Sequence, residues 1–316
     1  MGAGADGAQG AERPAQRLWQ AAEAVHAIVY FDRDVRRAVR AAGAPGFWAG
    51  YFGTRLAPLR TVDPWLATSV LYVFAPGMVT EHLPSSDDGA RWDEARRIAV
   101  AALLSRLGAP SSAGAASATS VTSAESGGSG VSGAPPAEAW LAAVDLVRRL
   151  AEACEVGGRP LFAAHAGRPW PEDPHLALWH GVTLLREHRG DGHLHVLAGE
   201  GLSGCEAMVL ALRWRGQGEA GDDSAAADRG WSDDDIAHAY AGLAERGWVG
   251  PDRALTDAGH RARAAIEAAT DARSVPRAAD PATVEAAAAA LEPFASLTLP
   301  TIPARNPIGI TGGAQG

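Results

Sequence analysis

Residues 109–137 constrain the fold of this 316-residue chain more than any other stretch, because they cannot contribute to a core. Those 29 positions hold eight Ser, eight Ala, five Gly, three Pro and two Thr, and Val121 and Val131 are their only larger apolar side chains. So little apolar surface cannot offset the entropy of ordering the backbone. The composition therefore predicts a disordered linker, spanning roughly 30 Å as a flexible coil. Whatever packs must come from the flanking regions, either as two domains or as one domain carrying a long surface insertion. Residues 1–14 read as a second disordered stretch.

Both flanks have helical texture. In 15–108, Leu18, Ala22, Val25 and Val29 recur at helical spacing, as do Val35, Ala38, Val39 and Ala42 before Gly43, a residue suited to a left-handed cap. Phe47, Trp48, Tyr51 and Phe52 lie between glycines, a core cluster that could also line a small-molecule pocket with His26 and Arg55; His26, Tyr51 and Arg55 are its candidate residues. Asp63-Pro64 reads as a cap with proline at the first helical position. Residues 138–174 read as a helical connector. Asp173-Pro174 opens a helix expected to end near Arg189, and 193–214 reads as two short helices broken near Gly201. A short helix over about 282–291 precedes an extended, proline-marked tail within 273–316.

The strongest local pattern is Leu-Ala-Glu-Arg-Gly-Trp-Val (243–249), a short turn, and Ala-Leu-Thr-Asp-Ala-Gly-His-Arg-Ala-Arg (254–263). A helix ended by Gly247, a two-stranded wing and a helix capped by Thr256 would produce it. The pattern closely resembles the second half of a winged helix of the multiple-antibiotic-resistance-regulator (MarR) type; an ordinary helix–hairpin–helix corner would also fit. The expected fold class is mainly α: a helical N-terminal region plus a winged helix over 175–272 with a small β-hairpin.

Charge argues against easy DNA docking. The net charge is −9, and all 28 basic residues are Arg. Residues 1–108 hold 12 Arg against 11 acids, while 138–316 hold 16 Arg against 25. A helix beginning Ser232-Asp233-Asp234-Asp235 gains stability from acids at its N-terminus, but three carboxylates facing a phosphate backbone oppose binding. Arg246, Arg253 and Arg261 are the candidate DNA contacts.

Five of the ten histidines fall between 175 and 195. Leu178, Trp179, Val182 and Leu185 form one apolar arc, with His180, Glu187 and His188 opposite. Metal pairs on a helix sit three or four residues apart, and those neighbours of His180 are Thr183 and Leu184, so no metal site and no cofactor are expected. Arg189-Gly-Asp-Gly-His193 reads as a tight turn presenting Asp191 and His193 together, a carboxylate beside an imidazole. His180, Glu187, His188, Arg189, Asp191 and His193 are thus a candidate ligand or acid–base site; a solvated polar face ending in an Asp-Gly turn explains the same residues. Gly199-Glu-Gly-Leu-Ser-Gly204 matches a dinucleotide-binding pattern, but no βαβ alternation surrounds it, so it reads as a turn between helices. Cys154 and Cys205 are expected to be buried small hydrophobes, with no disulfide.

The blocks Ala21–Phe31, Gly46–Phe52, Leu178–His193, Arg229–Ser232 and Asn306–Gly309 resemble a family of bacterial helix-turn-helix proteins sometimes labelled SalK. The resemblance implies a helical protein with a MarR-like module and carries over no substrate or catalytic residue. Two functions follow as expectations: a MarR-like transcriptional regulator, homodimeric and ligand-responsive, or an enzyme or small-molecule-binding protein using the 180–193 segment. A protein–protein adaptor is a third. The start has no apolar core of a secretory leader, and no stretch suits a membrane helix. A cytoplasmic protein is expected, with DNA, a small molecule and a second copy as candidate partners and no membrane.

Overall fold

The computed structural model describes residues 13–108, 135–216 and 223–303. The linker and the first segment therefore lie, but for a few residues, outside the described residues. The order begins with α1 (Pro14–His26), α2 (Ile28–Phe31), α3 (Arg33–Ala41) and α4 (Phe47–Leu56). It continues with α5 (Pro64–Val70), α6 (Pro76–His82), α7 (Ser86–Leu107), α8 (Ala137–Glu152), α9 (Pro160–Ala166) and α10 (Pro174–Gly199). Helices α11 (Gly204–Trp214), α12 (Ser224–Ala227), α13 (Asp233–Glu245), α14 (Asp257–Asp271) and α15 (Pro281–Thr298) complete it. Side-chain oxygens of Asp32, Asp63, Ser85, Asp173, Ser203, Ser232, Thr256 and Asp280 accept from backbone N–H groups at eight of the helix starts. Each cap contributes about 1 kcal/mol.

Helix α10, about 39 Å long at 1.5 Å per residue, is the spine. Its first half joins α1, α7, α8 and α15 around Leu178, Trp179, Val182, Val25, Leu104, Val147 and Leu291. Residues before 109 and after 134 therefore share one interior. The far end of α10, at Val196 and Leu197, joins α11, α13 and α14 around Met208, Val209, Tyr240, Leu243 and Ile266. A third cluster, including Phe52, Leu71, Phe74 and Leu161, sits among α4, α5, α6 and α9. One side-chain and one backbone hydrogen bond tie the second and third clusters: Trp231 Nε1 donates to Val73 O at 2.9 Å and Ala75 N to Arg229 O at 2.9 Å. Both cysteines are free and buried.

Three expectations are corrected. The β-hairpin of a winged helix does not form: the described residues contain no strand, only one isolated antiparallel bridge between Val249 and Leu255. Both arms are consumed by helix ends. Trp248 N donates to Leu243 O at 2.9 Å, closing α13, while Thr256 Oγ1 donates to Gly247 O at 2.6 Å and accepts from Gly259 N, starting α14. Two residues per arm remain, too few for a ladder. Second, Arg189–His193 is not a turn, because α10 runs unbroken through Gly190 and Gly192 to Gly199. Glycine in a helix costs about 1 kcal/mol, yet a Cβ at Gly192 would lie 2.7 Å from Arg159 Nη1, so the crossing contact needs the missing side chain. Third, the helix expected over about 282–291 runs further: α15 continues through Pro293 to Thr298, with Phe294, Ala295 and Thr298 buried, a 3₁₀ turn follows over Leu299–Thr301, and most of the expected extended tail lies outside the described residues.

Candidate functional site

The polar arc of α10 is not solvated; it holds buried ions. Glu187 receives a two-pronged contact from Arg55 of α4, Nε to Oε1 at 3.1 Å and Nη2 to Oε2 at 2.9 Å. Arg186 donates to Glu187 at 2.7 Å and to Glu23 of α1 at 3.1 Å. Burial alone would raise the Glu187 carboxyl, but the Arg55 and Arg186 guanidiniums outweigh it and hold the group well below its ordinary value. Glu23 is pushed up, mainly by burial.

His26 lies beside this network. The Thr183 hydroxyl donates to Trp179 O at 2.7 Å, so at 3.1 Å it can only accept from His26 Nδ1–H. Nε2 of a neutral ring then accepts from Tyr30 Oη–H at 3.0 Å. Burial, with the nearby Arg186 charge, holds His26 well below its ordinary value, which fits that tautomer. Its ring stacks on Trp179 at 5.5 Å.

In front of Tyr30 lies a pocket of about 390 Å³ between α3 and α4, with Arg96 of α7 also in its lining. Tyr51 lines it; Arg55 stands behind, donating to Tyr51 Oη at 3.1 Å, and His26 stands behind Tyr30. Arg33, Arg36, Arg37 and Arg40 line it from α3, spaced i, i+3, i+4 and i+7 on one face. That spacing is present in the sequence, interleaved with the apolar repeat of Val35, Ala38, Val39 and Ala42. No carboxylate lines the pocket.

The six candidates of 180–193 are not gathered into one site. His180 meets the Trp170 ring edge-on at 4.9 Å. His188 Nδ1 faces Ser274 O at 3.1 Å, and Arg189 reaches Glu267 at 2.8 Å and Asp271 at 3.1 Å. Asp191 accepts from Phe162 N at 2.9 Å, whereas His193 Nδ1 meets Thr270 Oγ1 at 2.8 Å, so the two do not pair. Burial pushes Asp191 up to about 6 and His188 and His193 down to about 4. Among the described residues no cluster of three His, Cys, Asp or Glu could hold a metal.

The C-terminal candidates also spread. Arg246 donates to Glu200 O at 3.0 Å and Gly201 O at 2.8 Å, closing the turn after α10. Arg253 pairs with Asp223 at 3.1 Å and lies 4.5 Å from the Tyr240 ring centre, and Arg261 is exposed on α14. The open face of α13 shows Asp233, Asp234, Ala237, His238, Ala241 and Glu245.

A family profile described as "Helix-turn-helix family" matches residues 15–301. No curated protein and no solved structure matches the chain. Among the described residues no helix is long and apolar enough to cross a membrane.

Proposed function

The chain belongs to the helix-turn-helix family, and from that premise we propose that it is a MarR-like DNA-binding regulator, dimeric, cytoplasmic and responsive to a small molecule. The observation that carries this reading is the succession α12, turn, α13. Helix α12 ends at Ala227, the chain reverses through Gly230 at φ 83°, and α13 starts at Asp233 under a capping box from Ser232. Helices α11 and α14 support the pair from within, and the outer face of α13 stays open. Arg261 is exposed, Arg253 would have to give up its Asp223 pair to reach phosphate, and Arg246 is committed to two carbonyls.

Duplex binding to the protein's own promoter region, measured across 25–200 mM salt, tests it. Binding should weaken steeply with salt, and Arg253→Ala and Arg261→Ala should each lower affinity and reduce the log–log slope by about 1. No binding at the lowest salt overturns the proposal.

One observation favours a second reading, a small-molecule-binding protein on this scaffold: the open face of α13 carries carboxylates and no arginine. A protein that binds a ligand but no duplex at any salt would support it. The 180–193 residues are buried against separate partners, so the pocket beside α3 is where that reading points.

A further inference from the structure

We propose that the groove between α3 and α4 binds an organic polyanion: a small molecule with a flat ring and at least two phosphate or carboxylate charges. This rests on the ligand-responsive part of the reading above and not on DNA binding.

Charge is the first reason. Five guanidiniums line one groove, from Arg33, Arg36, Arg37, Arg40 and Arg96, without a carboxylate among the lining residues. Asp34 pairs with Arg37 and Asp93 with Arg96, whereas Arg33, Arg36 and Arg40 have no carboxylate partner among the described residues. Like charges crowded on one helix face repel, and a bound polyanion turns that repulsion into attraction. The repulsion is strongest when the groove is empty.

Depth is the second. Arg96 is 5% exposed, donating to Thr54 O at 3.0 Å and Asp93 at 2.6 Å, yet its buried Nε has no hydrogen-bond partner. A buried donor left open costs about 1–3 kcal/mol, so the protein's own packing leaves this lining arginine incompletely satisfied. Tyr51 accepts from Arg55, which leaves its own hydroxyl hydrogen for the ligand.

Walls are the third. Phe47 is 41% exposed and stacked nearly parallel to Tyr51, at 6.3 Å and 17°, with Arg36 5.7 Å from its ring centre. An exposed aromatic face beside guanidiniums suits a planar ring attached to the charge. A volume of about 390 Å³ lies in the small-molecule range. A concave groove with a buried arginine suits a compact anion better than the convex backbone of a duplex.

Calorimetric titration of the full chain tests this without DNA, using a nucleoside diphosphate, benzene tetracarboxylate, pyrophosphate and the uncharged nucleoside. One-to-one binding of at least one ring-bearing polyanion is expected, at least tenfold tighter than pyrophosphate, with no heat from the nucleoside. Arg36→Ala/Arg40→Ala, both exposed, should weaken binding tenfold or more with the melting temperature of the unliganded protein no lower, and the Lys/Lys version should recover part of the binding. Equal affinity for pyrophosphate and the ring-bearing anions overturns the proposal. So does saturation by random duplex DNA, lost in the double variant, with no small anion binding at 1 mM. The salt series with the promoter duplex and the anion titration read different ligands, so the two proposals fail separately.

Discussion

Five histidines inside the helical body stay neutral in the folded chain, and that sets its response to acid. Burial pushes His180 down to about 3 and His165, His188 and His193 down to about 4, against an ordinary 6.5, and holds His26 well below it too. Below pH 6.5 the unfolded chain takes up these protons while the folded chain refuses them until about pH 4. Their contribution is therefore complete above pH 6.5 and is lost as the pH falls toward 4, by up to about 3 kcal/mol each. Asp191 runs the other way: pushed up to about 6 by burial, it contributes below pH 3.8 and loses that contribution as the pH rises through 6. Urea unfolding between pH 4 and 8 should show stability falling on the acid side. His193→Gln should flatten that fall, and Asp191→Asn should raise stability at pH 7. An unchanged pH profile in both variants would refute the assignment. The sequence showed these residue types but not their burial, because a polar arc on a helix looks the same whether it meets water or its own guanidiniums. Arg186, beside Glu187, illustrates this: nothing local marks it as the cation that joins α10 to α1.

Among elements, one tight constraint is where α14 meets the end of α13. A Cβ at Gly259 would lie 2.0 Å from Trp248 O, the carbonyl that also accepts from Thr256 N at 3.0 Å. Gly259→Ala should therefore force α14 away from the bridge and destabilise by about 1–3 kcal/mol. Gly77→Ala is the control, since nothing lies within 4 Å of its Cβ position in α6, and better helix propensity should leave it neutral or slightly stabilised. Thermal melts of the two variants decide, and equal melting temperatures would remove the argument. Starts of helices were legible because caps are local: Ser232 and Thr256 announce α13 and α14 by residue type alone. The wing was not, because a ladder depends on arm length left over after both caps are made. Nor was the continuity of α10, where Gly190 and Gly192 suggest a break that only the close approach of Arg159 and its neighbours explains.

At the level of the whole molecule, α1 packs against α15, with Arg17 pairing to both Glu285 and Glu292, and α8 and α10 complete the same interior. The sequence left open whether the two flanks of 109–137 meet, since helical periodicity says which face is buried but not against what. Here they do: Val25, Leu104 and Val100 from one flank touch residues such as Val147, Leu178 and Leu291 from the other. Neither stretch can close its apolar surface alone. Continuity of the backbone across positions 108 to 135 is then dispensable. Two polypeptides, ending and beginning there and made in one cell, should find each other, elute as a one-to-one heterodimer and melt as a single unit, whereas each made singly should aggregate. Two soluble fragments that elute apart would show instead that each half is self-sufficient.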